Sequence, residues 1–319
     1  MSDRPFAIIV GGSAGVGRAI VDTLLGRGYS VGVVARGQER LQQLEAIDHI
    51  TTAPADAGDA AALRSAIESL IAGGGTPTVW INCAMTTAFS PFDKMSPEEF
   101  DKIVRTTFLG QVNGTRIALE MMKTGHIVHV GSGLAYRPVP FQSAYCAAKH
   151  AINGFVGAVR SEVIRDGRDI NLSLVQLPAI NTPQFDWARN RLSMKPQPAP
   201  PIFSPYLAAD GVMQAIDKRQ REVFVGTSVF RLIFSDMILP AFLDRKLAGA
   251  GVEMQKSDRP EPGGRPDNLF EPVAYDASAK GSFTDRAERQ GVVMDADLAR
   301  KAFFGAIVAT SFILGLILG

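Results

Sequence analysis

The chain has 319 residues, of which 46% are hydrophobic and 20% charged, with a formal net charge of +1. Such a chain buries a substantial core in one large domain with an appendage and is not disordered over most of its length, and its near-neutral balance offers nucleic acid no basic track. Its two cysteines, Cys83 and Cys146, sit in apolar runs, which points to buried thiols in a reducing compartment rather than a disulfide or metal site.

The N-terminus carries no secretory pattern, so a cytoplasmic main domain is expected. The apolar run Phe6–Val10 predicts a first strand ending in a glycine-rich turn, after which Val16–Leu25 has apolar residues at helical spacing. Tyr29–Ala35 predicts a second strand, Glu39–Ile47 a polar helix, His49–Thr52 a short third strand and Ala60–Ala72 an alanine-rich helix. Thr78–Ala84 predicts the fourth strand. Ser96-Pro97-Glu98-Glu99 then opens a helix, with serine at the N-cap, proline at the first helical position and acids in the first turn. His126–Val130 and Ile170–Val175 predict the fifth and sixth strands around a long helix, Ala144–Ile164, and Glu222–Val225 supplies a seventh. Strands separated by helix-length crossovers imply a parallel sheet covered on both faces. The expectation is a doubly wound, Rossmann-type α/β fold of about seven strands with a C-terminal extension. Pro183–Pro205, rich in proline, arginine and aromatics, predicts a loop or short helices beside the site, whereas Ser257–Asp297 reads as extended and loosely packed. The divisions expected are 1–250, 251–301 and 302–319.

The turn Val10-Gly11-Gly12-Ser13-Ala14-Gly15-Val16-Gly17 lies between the first strand and the first helix. Glycines there let backbone amides approach a pyrophosphate at a helix N-terminus, where the dipole favours negative charge. The second strand ends in Ala35-Arg36-Gly37 with no acidic residue to accept from a ribose hydroxyl; Arg36 offers a permanent cation to a 2′-phosphate, which favours NADP (NADPH) over NAD. The glycine spacing resembles the TGxxxGxG element of short-chain dehydrogenases/reductases, with Val10 in place of threonine. That resemblance covers about residues 5–226. It implies that Gly11, Ser13, Gly15, Val16, Gly17 and Arg36 contact the cofactor, that Asp56 in Ala55-Asp56-Ala57 lies beside the adenine, and that Asn82 and Ala84 stand in the family's NNAG element. Asn82 also reads as a brace for the sheet.

Gly131-Ser132 closes the fifth strand, and Tyr145-Cys146-Ala147-Ala148-Lys149 opens the long helix. Spacing by four puts Tyr145 and Lys149 on one helical face. The 13-residue separation of Ser132 from Tyr145 also resembles the family's serine–tyrosine spacing. Reduction of a carbonyl creates an alkoxide that must be protonated, and a phenol of pKa about 10 needs its anion stabilised to do this near neutrality. Lys149 and the positive charge of the nicotinamide are expected to lower the Tyr145 pKa. Ser132 is expected to hold the substrate oxygen. By resemblance Lys149 also holds the nicotinamide ribose, and Thr107 takes the place of a catalytic asparagine that keeps a helix kink open; threonine supports such a kink by bonding a backbone carbonyl. Leu177–Thr182 stands where the family carries a nicotinamide-amide loop, implicating Pro178, Ile180 and Thr182. Phe185, Trp187, Tyr136, Phe141 and Gln142 are candidate pocket residues, and their aromatic character suits a bulky apolar substrate.

Ala302–Gly319 is 18 residues without a charge, preceded by Arg300 and Lys301. A helix of that length spans about 27 Å, against about 30 Å of bilayer hydrocarbon. It reads as a membrane anchor or as a tail packed on the domain or another subunit, and its all-round apolarity favours the anchor. Phe230–Leu247 mixes apolar and charged residues and suits a pocket wall, a dimer face or a membrane surface. The function expected is an NADP(H)-dependent oxidoreductase acting on a small apolar carbonyl or alcohol, in a homo-oligomer as the family implies. The alternative is a nucleotide-binding, membrane-tethered scaffold, which would ordinarily have lost the tyrosine or the lysine.

Overall fold

The structure, a computed structural model, describes residues 4–318. Seven parallel strands form the centre of the molecule: β1 (Phe6–Val10), β2 (Ser30–Ala35), β3 (Ile50–Pro54), β4 (Val79–Asn82), β5 (Gly125–Val130), β6 (Ile170–Gln176) and β7 (Glu222–Val225). An eighth, β8 (Val293–Asp295), pairs antiparallel with β7, giving the order β8-β7-β6-β5-β4-β1-β2-β3. The sequence pattern anticipated seven strands. β8 escaped it because three residues in a polar stretch become a strand only by pairing with an existing edge.

Both faces of the sheet are covered. Along β1, Ala7 and Ile9 face one apolar cluster while Phe6, Ile8 and Val10 face another, the alternation that a pleated strand imposes. The first cluster takes in α1 (Gly15–Gly26), α2 (Gln38–Glu45) and α7 (Pro205–Asp217); the second takes in α3 (Ala60–Gly74), α5 (Gly110–Met121) and α6 (Ser143–Arg165). Helix α4 (Pro97–Val104) starts with the capping box its sequence announces: Ser96 Oγ accepts from Glu99 N at 3.3 Å, and Ser96 N donates to Glu99 Oε2 at 2.8 Å. Between α4 and α5 lies one π-helical turn, Arg105–Leu109.

Register places the site. Val10 pairs with Asn82, Asn82 with His129, and Val130 with Val175, so the turns after β1, β4, β5 and β6 emerge side by side at one carboxyl edge. That edge is where ligands bind in open α/β sheets.

The C-terminal region departs from expectation. Residues 251–295 do not lie loosely: Leu269 and Ala279 are buried, and the segment crosses back over the carboxyl edge. Phe230–Leu247 breaks into α8 (Thr227–Ile238) and α9 (Pro240–Lys246), because Pro240 can begin a helix but not continue one. Helix α10 (Ala296–Leu318) docks its first turns through Ala296, Ala299 and Phe303 onto Phe224, Phe230 and Phe234. Among the described residues no helix is long and apolar enough to cross a membrane, so the expected anchor at 302–319 is not supported. Charged Asp297, Arg300 and Lys301 belong to the same helix, and Arg300 is held by Glu222 at 2.6 Å. Gly319 and the side chains of Leu314, Gly315, Ile317 and Leu318 lie outside the described residues.

Candidate active site

One continuous cavity of about 410 Å³ runs along the carboxyl edge from Arg36 to Ser132, Tyr145 and Lys149. One end of it is lined by the glycine turn. Gly11 has φ +93°, and a Cβ there would stand 2.4 Å from the Ala84 nitrogen; one on Gly17 would stand 2.0 Å from the Gly11 oxygen. Only glycine fits those two positions, which is why the turn is tight enough to lay α1 end-on to the cavity. The N-terminus of α1 has no side-chain cap, and Ser13, Gly15, Val16 and Gly17 line the cavity beside it. Such a helix end is an anion seat. One of its amides is already engaged: Gly15 N donates to the Ser278 carbonyl at 2.9 Å.

Arg36 lies at the far end, with a different set of partners from the one its sequence position suggested. Its guanidinium donates to the carbonyls of Asn268 (2.6 Å), Leu269 (3.3 Å) and Phe270 (2.8 Å), and stands 4.0 Å from Asp56. Asp56 is held by the Lys102 ammonium at 2.5 Å and the Gly58 amide at 2.9 Å; although burial opposes it, these contacts keep its carboxyl below the ordinary range. Beside Arg36 the cavity gains a cation that the sequence reading passed over. Arg40 is 7% exposed, donates to the Val273 carbonyl at 2.7 Å, stacks 5.0 Å from the Trp187 ring, and leaves its buried Nε without a partner. Burial and the neighbouring Arg36 lower its pKa. An arginine at i+4 from another on the first helix after β2 was the available signal.

At the opposite end, β5 delivers Ser132 and α6 delivers Tyr145 and Lys149. Ser132 N is fixed by Gln176 Oε1 at 2.8 Å, and Ser132 Oγ accepts from Leu134 N at 3.1 Å while bonding the Tyr145 hydroxyl. Lys149 is 2% exposed; its Nζ donates to the Val130 carbonyl at 2.7 Å and lies 5.5 Å from the Tyr145 ring centroid. Burial brings its pKa down to about 8, against an opposing pull from Cys83. For Tyr145 the direction is opposite to the expectation: burial pushes the phenol above its ordinary value, and the Ser132 bond only partly offsets this. The desolvation of an anion outweighs one neutral hydrogen bond.

Other expected residues divide into those on the cavity and those off it. Ala84, Asp56, Pro178, Ile180, Thr182, Phe185, Trp187 and Gln142 line it. Asn82 does not: its Oδ1 accepts from Trp80 Nε1 at 3.0 Å and its Nδ2 donates to Thr115 at 3.2 Å, the bracing role. Thr107, fully buried in the π-helical turn, bonds both Thr86 O (2.9 Å) and Thr86 N (3.1 Å) and so ties the kink to the loop after β4. Tyr136 is likewise off the cavity, donating to Glu222 at 2.6 Å, and Phe141 packs with Phe89 and Leu192. The substrate end takes walls from Leu232 and Leu247, within the Phe230–Leu247 stretch expected as a candidate pocket wall, and from Val229, Met254 and Gln255, which the sequence reading did not name. Their apolar spacing was visible, but nothing local said that α8 folds back onto the carboxyl edge.

The arrangement fits a dinucleotide. Amides at a helix end, two guanidiniums and a buried orphan Nε sit at one end, with a hydroxyl, a phenol and an ammonium at the other. Comparison with known proteins agrees. The sequence profile of the short chain dehydrogenase family matches residues 5–191. The uncharacterized oxidoreductase YxnA of Bacillus subtilis (strain 168) is 25% identical over 320 residues, spanning 97% of this chain and 88% of the relative. An NADPH-dependent pterin aldehyde reductase of Arabidopsis thaliana is 31% identical over 166 residues, 49% of this chain and 68% of the relative. In fold, a short-chain dehydrogenase from Burkholderia cenocepacia J2315 solved in complex with NADP superposes with a TM-score of 0.65 at 21% identity, over 77% of this chain and 99% of that one. A short-chain dehydrogenase from Streptomyces avermitilis gives the same TM-score at 22% identity and the same coverage. The chain therefore belongs to the short-chain dehydrogenase family, whose oxidoreductases bind a nicotinamide cofactor.

Proposed function

We propose that this protein is an NADP(H)-dependent oxidoreductase that interconverts a carbonyl and an alcohol, with Tyr145 as the general acid and base. The observation that carries the reading is the convergence of Ser132, Tyr145 and Lys149 on the same cavity as the glycine turn and Arg36. When bound, the nicotinamide supplies or accepts the hydride. Ser132 Oγ accepts from Leu134 N, and its hydroxyl hydrogen is the one that would turn from Tyr145 to a substrate oxygen. In the reducing direction Tyr145 gives its hydroxyl proton to that oxygen as the alkoxide forms, and in the oxidising direction it takes the proton back. The raised phenol pKa keeps Tyr145 protonated and ready as an acid. Lys149, held by the Val130 carbonyl, brings a positive charge next to the phenolate that remains. Arg36 and Arg40 place two cations where a 2′-phosphate would lie, which supports NADP over NAD.

The far walls, Val139, Leu177, Val229, Leu232, Leu247 and Met254, are apolar, which suits an apolar substrate. The test is to follow NADPH absorbance against aldehydes, ketones, retinoids, steroids and 3-oxoacyl compounds with wild type and Tyr145→Phe. Turnover should fall by roughly 10²- to 10⁴-fold in the variant while NADPH still binds. Near-wild-type turnover by Tyr145→Phe would dispose of the mechanism.

A further inference from the structure

The segment from Asp267 to Ser282 lies beyond the residues matched to the family profile, yet it runs along the nucleotide half of the cavity, places Asn268 in its lining and bonds Arg36, Arg40 and Gly15, which line it too. On the nucleotide side it offers only carbonyl acceptors to cationic or amide donors. Arg36 holds the carbonyls of 268–270, Arg40 holds Val273 O at 2.7 Å, Arg18 holds Ala277 O at 3.3 Å, and Gly15 N holds Ser278 O at 2.9 Å. A further tie runs the other way, from Ala277 N to Gln43 Oε1 at 2.9 Å. On the substrate side the anchors are of another kind. Asp267 pairs with Arg189 at 2.8 Å, Asn268 N donates to Trp187 O at 3.0 Å, Tyr275 meets the Trp187 ring edge-on at 5.1 Å, and Ser282 Oγ donates to Asp186 at 2.5 Å.

The cavity stays open from Gly15 and Arg36 through to Tyr145 with Asn268 of this segment in its lining, so the segment borders the cavity and does not plug it. The donors it borrows are the ones a phosphorylated nucleotide would seek, and a phosphate oxygen is a stronger acceptor than a neutral carbonyl. The anchors on 186–189 hold the segment separately from those donors, apart from Trp187, whose ring also stacks on Arg40 at 5.0 Å, so they remain to fasten it when the donors are taken. From this, and resting on the nicotinamide-cofactor reading above, we propose that residues 267–282 form a strap that closes over the bound dinucleotide and gates its exchange. The nucleotide is admitted by displacing strap carbonyls from Arg36, Arg40 and the Gly15 amide, and it leaves only when the strap lifts. Because the strap is fastened to the stretch that carries Phe185 and Trp187 into the cavity, closing over the cofactor also fixes one wall of the substrate end.

Truncation is a poor test, since β8 lies downstream and completes the sheet edge. The experiment uses the full chain loaded with NADPH and measures its release by stopped-flow fluorescence on mixing with excess NADP⁺. Wild type is compared with Asp267→Ala/Tyr275→Ala, which removes two substrate-side anchors and no cavity residue, after circular dichroism confirms the fold. Release should be about tenfold faster in the variant, the factor expected from losing one ion pair and one ring contact. Amide exchange across 267–282 in wild type should slow when NADPH is present. Unchanged release from a folded variant, tighter NADPH binding by it, or exchange indifferent to NADPH would each overturn the strap. Should the double variant not fold, Gln43→Ala loosens the opposite side and is judged by the same release rate. A wild-type chain that binds neither NADPH nor NADH would instead refute the cofactor reading itself, and the strap with it.

Discussion

Glu99→Gln should cost about 3 kcal/mol of stability at neutral pH, and that cost should fade in acid. Glu99 sits in the first turn of α4 with its side chain 4% exposed. Its Oε1 accepts from both Arg189 and Arg191 at 2.5 Å, and its Oε2 accepts from the Ser96 amide at 2.8 Å. Burial works to raise the carboxyl pKa, but the bonds from Arg191, the Ser96 amide and Arg189 prevail and hold it at about 2, against an ordinary 4.5. At about 1.4 kcal/mol per pH unit, that gap corresponds to roughly 3 kcal/mol. A depressed carboxylate pKa stabilises the fold fully above about 4.5, and the stabilisation drains away as pH falls from there toward 2. Glutamine keeps the shape and loses the charge, so the variant is the wild type with this one titration removed. The assay is urea unfolding of both proteins at pH 7, 5 and 3, reading the difference between them so that other titrating groups cancel. The difference should be near 3 kcal/mol at pH 7 and clearly smaller at pH 3. A difference below about 1 kcal/mol at pH 7, or one that does not shrink in acid, would show that the arginines do not set the carboxylate's charge state. Because Arg189 also holds Asp267 at 2.8 Å, the variant should loosen the strap as well.

Two further outcomes concern the site. kcat/KM for carbonyl reduction should be flat below pH 8 and fall as pH rises through about 8, where buried Lys149 loses its proton in the free protein. Tyr145, with its pKa raised by burial, keeps its proton over the same range, so a profile level to pH 10 would refute the role of the lysine charge. Arg36→Ala should weaken NADPH binding by roughly 10- to 100-fold, the worth of charge-assisted bonds to a phosphate, while NADH binding changes little. Equal losses for the two nucleotides, in a fluorescence titration, would mean that Arg36 serves only the strap carbonyls it holds.

The two ends of the site differ in how legible they were. Tyr145 and Lys149 share a helical face by spacing alone, and Ser132 follows the strand that carries Ile127, Val128 and Val130, so local chemistry told which side chains would meet. The glycine turn was equally readable, because a backbone constraint is written into the residue type itself: no other residue survives where a Cβ would stand 2.0 Å from a carbonyl oxygen. Arg36 was placed correctly on the cavity but not with its partners, since those are backbone carbonyls more than 230 residues away that carry no residue code. Arg40 was missed, and Phe230–Leu247 was left open between a pocket wall, a dimer face and a membrane surface, for a related reason: their burial depends on what folds over them.

The sequence by itself determined the strand–helix alternation, the capping box at Ser96, the glycine turn and the serine–tyrosine–lysine set, all of which rest on interactions within a few residues or on a repeating period. Only the tertiary structure decided the eighth strand, the direction of the Tyr145 pKa shift, the docking of α10 and the path of 267–282 across the nucleotide groove. Those features depend on desolvation and on hydrogen bonds between main-chain groups. Every residue type carries the same main-chain groups, so nothing in a polar, proline-punctuated stretch announces which distant donors will claim its carbonyls.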